Sequence, residues 1–239
     1  MKLEGAFVVG SDGVHSATRD WLSLPAAVKT GSNVFRGNLL VDSEENVLYP
    51  LLSQGIVPLH GMFKGVYFMC FNFNSKVPGK LAWVISTTQA RHDGMSAISA
   101  IEGKIDDEDK RNTVMELLSQ SDPSHLAPYP ETSVLQTEVV ESCGWGGKGR
   151  VTLIGDAAHA MRPTDGQGGN MALEDAVVLC RALREKTTIE EALRWFETTR
   201  LPRIVKIHAD QADRYARRMR REQVGPWSDE FKKWVHDGI

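Results

Sequence analysis

The segment Gly149–Ala176, GRVTLIGDAAHAMRPTDGQGGNMALEDA, decides how the rest of the chain is read. Arg150–Ile154 is a short apolar run that predicts a strand, and Gly155-Asp156 ends it in a corner. A loop rich in Gly and Pro runs through Gly169, and a helix is predicted from about Asn170 to Arg184. Ala172, Leu173, Ala176, Val177, Leu179, Cys180 and Leu183 give that helix one broad apolar face. Glu174 and Asp175 near its start, with Arg181, Arg184 and Lys186 at its end, complement the helix dipole. Gly166, Gly168 and Gly169 leave backbone N–H groups unshielded where the dipole's positive end collects, a place suited to an anion or a polarised carbonyl. Asp156, at a strand's end, can accept hydrogen bonds from a hydroxylated chain. Taken bare, a glycine-rich helix start also serves as a plain turn.

Upstream, Ala6–Val9 predicts a buried strand ended by Gly10-Ser11-Asp12-Gly13, and Ser16 caps a short helix through about Leu22. From Asn33 to about Gln89 the pattern is β. Val34-Phe35-Arg36, Val47-Leu48-Tyr49 and Ile56-Val57 read as strand segments, and Val66–Phe73 with Leu81–Thr87 as a hairpin around Asn74–Gly79. Their aromatic and β-branched content fits an antiparallel sheet with one packed face. Ile105–Gln120 predicts a helix, Pro123, Pro128 and Pro130 a loop, and Val134–Val140 a further strand. Ile189–Arg200 and Pro202–Arg221 read as two helices, Pro202 standing in the first turn of the second.

Composition narrows the function. The chain has 239 residues, 28 Lys+Arg against 31 Asp+Glu, and a formal charge of −3, which gives no reason to expect nucleic acid as a partner. Its longest apolar stretch, Val66–Phe71, is far short of the roughly 20 residues of a membrane span. Cys70, Cys143 and Cys180 are odd in number and widely spaced, which favours reduced thiols in a cytoplasmic protein over a disulfide framework or a structural zinc site. His159 with Asp156 is conceivable as a base or a metal pair, though no metal is expected. The arginines of 214–221 are flanked by Asp210, Asp213 and Glu222 and read as a solvated helix end.

Gly155, Asp156, Ala157, Ala158, His159, Pro163, Gly166, Gln167, Gly168, Asn170, Glu174, Asp175 and Ala176 resemble, at fixed spacing, the second FAD motif of the class A flavoprotein monooxygenases, the p-hydroxybenzoate hydroxylase family. Val9–Arg19, VGSDGVHSATR, is similar to that family's DG motif, with Ser11 in place of the usual Ala or Cys. The resemblance implies an α/β fold: a Rossmann-like FAD-binding portion with an inserted antiparallel β-sheet substrate portion. The corresponding divisions are 1–33 and 141–239 for the FAD portion, with its C-terminal helices, and 34–140 for the substrate sheet. By that resemblance Asp156 binds the ribityl chain, the backbone around Gly168 and Gly169 faces the flavin's pyrimidine edge, where the helix start stabilises negative charge, and Gly166 and Asn170 belong to the same cofactor-binding motif. Pro163 lines the flavin's active face. Asp12 and Gly13 lie near the pyrophosphate and the approach of the nicotinamide cofactor. Arg36 and Tyr67 match positions where some members carry an active-site Arg and Tyr.

The family opens with a strand, a GxGxxG turn and a helix that hold the ADP half of FAD. That order of strand, GxGxxG turn and helix does not occur in this sequence; Gly166-Gln167-Gly168-Gly169 has another spacing, and Gly144–Gly149, whose lysine is followed by Gly and makes no P-loop, reads as a turn before the Arg150 strand. The expectation is therefore a truncated FAD-binding portion with an exposed apolar sheet edge, and a partner chain supplying the N-terminal FAD segment is one way to complete it. The implied function is hydroxylation or epoxidation of a small aromatic, polyketide-like or terpenoid molecule with FAD, NAD(P)H and O2, in secondary metabolism. The alternative is a non-catalytic homologue acting as a binding or assembly protein.

Overall fold

The computed structural model describes residues 4–53, 61–73, 77–87, 93–129, 133–135, 139, 145–163, 166–220, 222, 224 and 227–237. The strands are β1 Val8–Gly10, β2 Val28–Lys29, β3 Asn33–Leu40, β4 Gly61–Phe63, β5 Val66–Asn72, β6 Lys80–Thr87, β7 Ser133–Val134 and β8 Val151–Leu153. The helices are α1 Ala17–Trp21, α2 Ala97–Ile101, α3 Glu108–Ser119, α4 Asp156–His159, α5 Gly168–Glu185, α6 Ile189–Met219 and α7 Asp229–His236. Two compact units result, one of residues 1–29 with 133–239 and one of residues 30–132. The chain leaves the first unit through β2 and re-enters through β7, and these two strands pair antiparallel.

The 30–132 unit is built on a four-stranded antiparallel sheet in the order β3-β6-β5-β4. Alternation decides its faces: Phe35 pairs with Ile85, and Ile85 with Phe68, and all three are fully buried. Trp83, Cys70, Leu81 and Leu39 extend the same face, which shares one core with Ala97 and Ile101 of α2 and Val114, Leu117 and Leu118 of α3. Each fully buried aliphatic or aromatic side chain of this kind contributes about 1.5–3 kcal/mol by leaving water. Burial raises the Cys70 thiol to about 12, so it behaves as a small hydrophobe. Asp107 caps α3 by accepting from the Lys110 N–H.

In the other unit β1 and β8 pair in parallel, Gly10 opposite Leu153. Helices α5 and α6 pack together, with Met171, Val178, Leu179, Ala182, Leu193, Phe196, Ile204 and Ile207 in their shared core.

Several expectations change. Val47-Leu48-Tyr49 is no strand: Asn46 accepts from the Leu48 N–H and the chain turns into a 3-10 segment, Tyr49–Ser53. Ile56-Val57 lies outside the described residues, as do 136–138 and 140 of the expected strand Val134–Val140, of which Val134 is extended as the end of β7. The loop expected after Gly155 begins with the helical turn α4. The two C-terminal helices are one, α6, running through Pro202. The buried face of α5 is also rotated from the expected one. Met171, Asp175, Val178, Leu179 and Ala182 point inward, while Leu173 and Val177 are 70% and 58% exposed. An aspartate has taken a core position, and its ion partners decide the rotation.

Candidate functional site

Parallel pairing brings two loops to one place. Because β1 and β8 run in the same direction, the Ser11–Gly13 loop and the Gly155–Asp156 corner leave the sheet at the same, carboxyl end, joined by a 2.9 Å bond from the Ile154 N–H to the Gly10 carbonyl. Ligands of open α/β sheets bind at that end of the strands. The approach is close: a Cβ on Gly10 would lie 2.6 Å from Leu153 and 2.7 Å from Thr18.

The first loop is self-organised. Asp12 accepts from the Ser16 hydroxyl at 2.5 Å, the Thr18 N–H at 3.0 Å and the Thr18 hydroxyl at 3.1 Å. Partial desolvation works against its charge, but these donors outweigh it and hold the carboxyl down at about 2. Ser16 in turn caps α1 by accepting from the Arg19 N–H. Arg19 is buried and donates to the Ala157 carbonyl at 3.2 Å and the Pro25 carbonyl at 2.5 Å, tying this loop to α4. Gly13 has φ +79 and nothing within 4 Å of a notional Cβ. Both carboxylate oxygens of Asp12 are engaged with its own loop, so Asp12 shapes the backbone around Gly13.

The second loop is held from beneath. Gly155 has φ 58 and ψ −142, a region closed to side chains, and aims Asp156 outward, where its carboxylate is exposed. His159, at the other end of the turn, is fully buried and bonds Asp175 at 2.6 Å, so it is no partner for Asp156 in a metal pair. Asp175 also accepts from the Gly155 N–H at 2.9 Å and from Arg200 at 2.8 Å. Arg200 and Arg203 both bond Glu174, at 2.6 and 2.7 Å. Desolvation raises both carboxyls, yet the donors from His159, Gly155 and Arg200 pull Asp175 below the ordinary range, and those from Arg203 and Arg200 do the same for Glu174. Arg203 reaches further, to the Trp234 and Val235 carbonyls at the end of α7. Trp145 lies edge-on against His159 with ring centres 5.3 Å apart.

The start of α5 completes the surface. Gly166, Gly169 and Asn170 are exposed, and Gln167, at the N-cap, makes no side-chain capping bond. A Cβ on Gly168 would stand 3.9 Å from Asp156, so the exposed carboxylate and the positive helix end are neighbours. Pro163 is exposed, its carbonyl accepting from the Gly166 N–H.

A family model described as FAD binding domain matches residues 1–211. The chain belongs to the FAD-binding domain family. Its relatives include the aurachin C monooxygenase/isomerase of Stigmatella aurantiaca, 30% identical over all of this chain and 56% of that protein. A 3-amino-4-hydroxybenzoate 2-monooxygenase of Streptomyces platensis is 32% identical over 88% of this chain and 50% of its own length. Among solved structures, Klebsiella pneumoniae HpxO complexed with FAD and uric acid has a TM-score of 0.68 at 24% identity, covering 88% of this chain and 51% of that one, which shows the shared fold. The chain spans about half the length of the curated relatives it matches.

The residues of this FAD-binding domain family member fit the cofactor. The open space at Gly13, Gly166 and Gly169 leaves room for a close ligand, an uncapped helix start offers N–H donors, and Asp156 offers an exposed acceptor. Asp12, Gly13, Asp156, Pro163, Gly166, Gly168, Gly169 and Asn170 all lie in the unit containing β1 and β8. Arg36 and Tyr67 lie in the 30–132 unit, on the sheet face opposite its core. Arg36 is exposed with its guanidinium 4.2 Å from the Tyr129 ring centre; Tyr67 is half-buried opposite Ser86. The buried links through Arg19, His159, Asp175 and Arg200 went unread. Their available signal was an acidic pair on an apolar helix, answered by two arginines three residues apart.

Proposed function

We propose that this chain carries the flavin site of an FAD-dependent monooxygenase. The observation behind this reading is the convergence of the Gly10–Gly13 loop, the Gly155–Asp156 corner and the start of α5 at one end of a parallel strand pair. In this reading Asp156 accepts hydrogen bonds from ribityl hydroxyls, and the backbone at Gly13 faces the pyrophosphate. The N–H groups of Gly168, Gly169 and Asn170 stabilise negative charge at the pyrimidine edge, and Pro163 packs on the reactive face. Bound flavin would supply hydride acceptance from NAD(P)H and activation of O2; the protein supplies orientation, charge stabilisation and exclusion of water. The substrate is a small organic molecule, hydroxylated or epoxidised, for which aromatic, polyketide-like and terpenoid skeletons are the candidates. The relatives named for an aminohydroxybenzoate and solved with uric acid favour a flat, polar ring. Arg36 and Tyr67 are the side chains proposed to meet it, a cation and a phenol on an otherwise largely apolar sheet face.

The test is the visible spectrum of the chain after incubation with FAD and desalting. A retained flavin band is expected, with Asp156→Ala weakening FAD binding about 10-fold or more through loss of a charged acceptor. NAD(P)H oxidation and O2 uptake with candidate substrates then follow. A colourless wild-type protein would overturn the reading for this chain alone and favour the binding or assembly role, or completion by a partner chain.

A further inference from the structure

We propose that Asp175 is the positioning residue of the flavin site: one of its carboxylate oxygens clamps both ends of the turn that presents Asp156. The flavin part of this inference rests on the function proposed above. Oδ2 of Asp175 receives the Gly155 N–H at 2.9 Å and His159 Nε2 at 2.6 Å. Gly155 is the N-cap of α4 and His159 its last residue, so the two bonds brace the turn at its beginning and its end. Asp156 stands between the braces, exposed, while Asp175 itself is wholly buried and reaches no ligand directly. It acts through the turn.

The chemistry calls for a carboxylate. One oxygen takes two donors, and the other takes Arg200 Nε at 2.8 Å, so both oxygens must accept. An asparagine has only one accepting oxygen; its NH2 would face either Arg200 or the Gly155 and His159 donors, and one side of the clamp would open. Arg200, buried at 1% exposure, fixes the rotation of the Asp175 side chain. Gly155 cannot hold its φ 58 conformation by side-chain packing, having none, so its N–H is the handle by which the corner is set. The same oxygen explains why an aspartate occupies the inward face of an otherwise apolar helix.

Arg203 provides the comparison. Its hydrogen bonds go to Glu174 and α7, and not to Gly155 or His159. Asp175→Asn and Arg203→Ala are therefore compared at a temperature where both variants are folded by circular dichroism. Asp175→Asn is expected to weaken FAD binding about 10-fold or more, to change the shape of the bound-flavin absorption band, and to speed hydrogen exchange at the Gly155 amide. Arg203→Ala is expected to lower the melting temperature while leaving all three within about threefold of wild type. Equal changes in both variants, tracking the melting temperature, would overturn the proposal and reduce Asp175 to one ion pair among several. Should Asp175→Asn fail to fold, His159→Gln, which retains a donor, and His159→Leu, which does not, carry the test. Leu is then expected to loosen the turn and Gln to preserve it, and equal behaviour overturns the clamp. If wild type binds no FAD, the proposed function falls, while Gly155 exchange in the same variants still decides the clamp.

Discussion

Gly10 illustrates how single positions constrain this molecule. It ends β1 against Thr18 of α1, and Gly10→Ala would drive a methyl to within 2.7 Å of the Thr18 Cβ, a branched carbon on a short helix. Overpacking of this kind costs about 1–3 kcal/mol, so a clear fall in the chemical-denaturation midpoint is expected, with FAD binding weakened in step because Asp12 bonds Thr18. Titration makes a second prediction at this scale. His208 donates to the His159 carbonyl at 3.0 Å, and burial depresses it below its ordinary value of 6.5. Glu174 and Asp175 are likewise depressed below 4.5 and 3.8. Groups whose folded values are depressed contribute stability that is complete above their unfolded values and is lost as the pH falls through the folded ones. Glu197 works in the opposite sense, since burial raises it despite its bonds from Thr152 and Arg194. Melting temperatures are therefore expected to decline below about pH 6.5 and more steeply below about pH 4.5, and His208→Gln should remove the first decline. Exposed residues of the site were legible because their chemistry is local: Asp156 and the glycines announce an acceptor beside a helix start. The service residues beneath them were not, since Asp175 finds Arg200 25 positions away and sequence spacing alone does not pair them.

Elements were read well where a local device sets them. Ser16 caps α1, Asp107 caps α3, and the β5–β6 hairpin follows its alternating pattern. They were misread where tertiary partners overrule local preference. Pro202 should end a helix, yet Arg200 and Arg203, on either side of it, are both pinned to Glu174, and this shared anchor holds α6 continuous across the missing N–H. Pro202→Ala restores a backbone bond at some cost in unfolded-chain entropy, and a net stabilisation of about 1–2 kcal/mol is expected, read as a melting temperature raised by a few degrees. An unchanged or lowered melting temperature would show that the proline suits the local path of the helix. The face of α5 follows the same logic. Its apolar face is broad enough to allow more than one buried side, so the choice passed to Asp175 and its donors.

At the scale of the molecule, the mixed α/β class with an antiparallel insertion was legible because two motifs bracket a β-rich stretch. The 30–132 unit has its own core, and its two ends leave next to the paired strands β2 and β7. Expressed alone, that segment is expected to unfold cooperatively in urea with a stability of about 5 kcal/mol or more. A broad, non-cooperative transition would show that it depends on the remainder of the chain. The distribution of tryptophan gives each unit its own optical voice. Of six indoles, Trp83 is the one within residues 30–132, fully buried with its N–H on Ser121 at 2.8 Å. Trp145 is equally enclosed, its N–H on the Leu153 carbonyl at 2.7 Å and its ring against His159. Ultraviolet emission from the first therefore tracks melting of the sheet unit. Emission from the second, lodged against the turn that presents Asp156, is placed to dim by energy transfer when a yellow chromophore settles there.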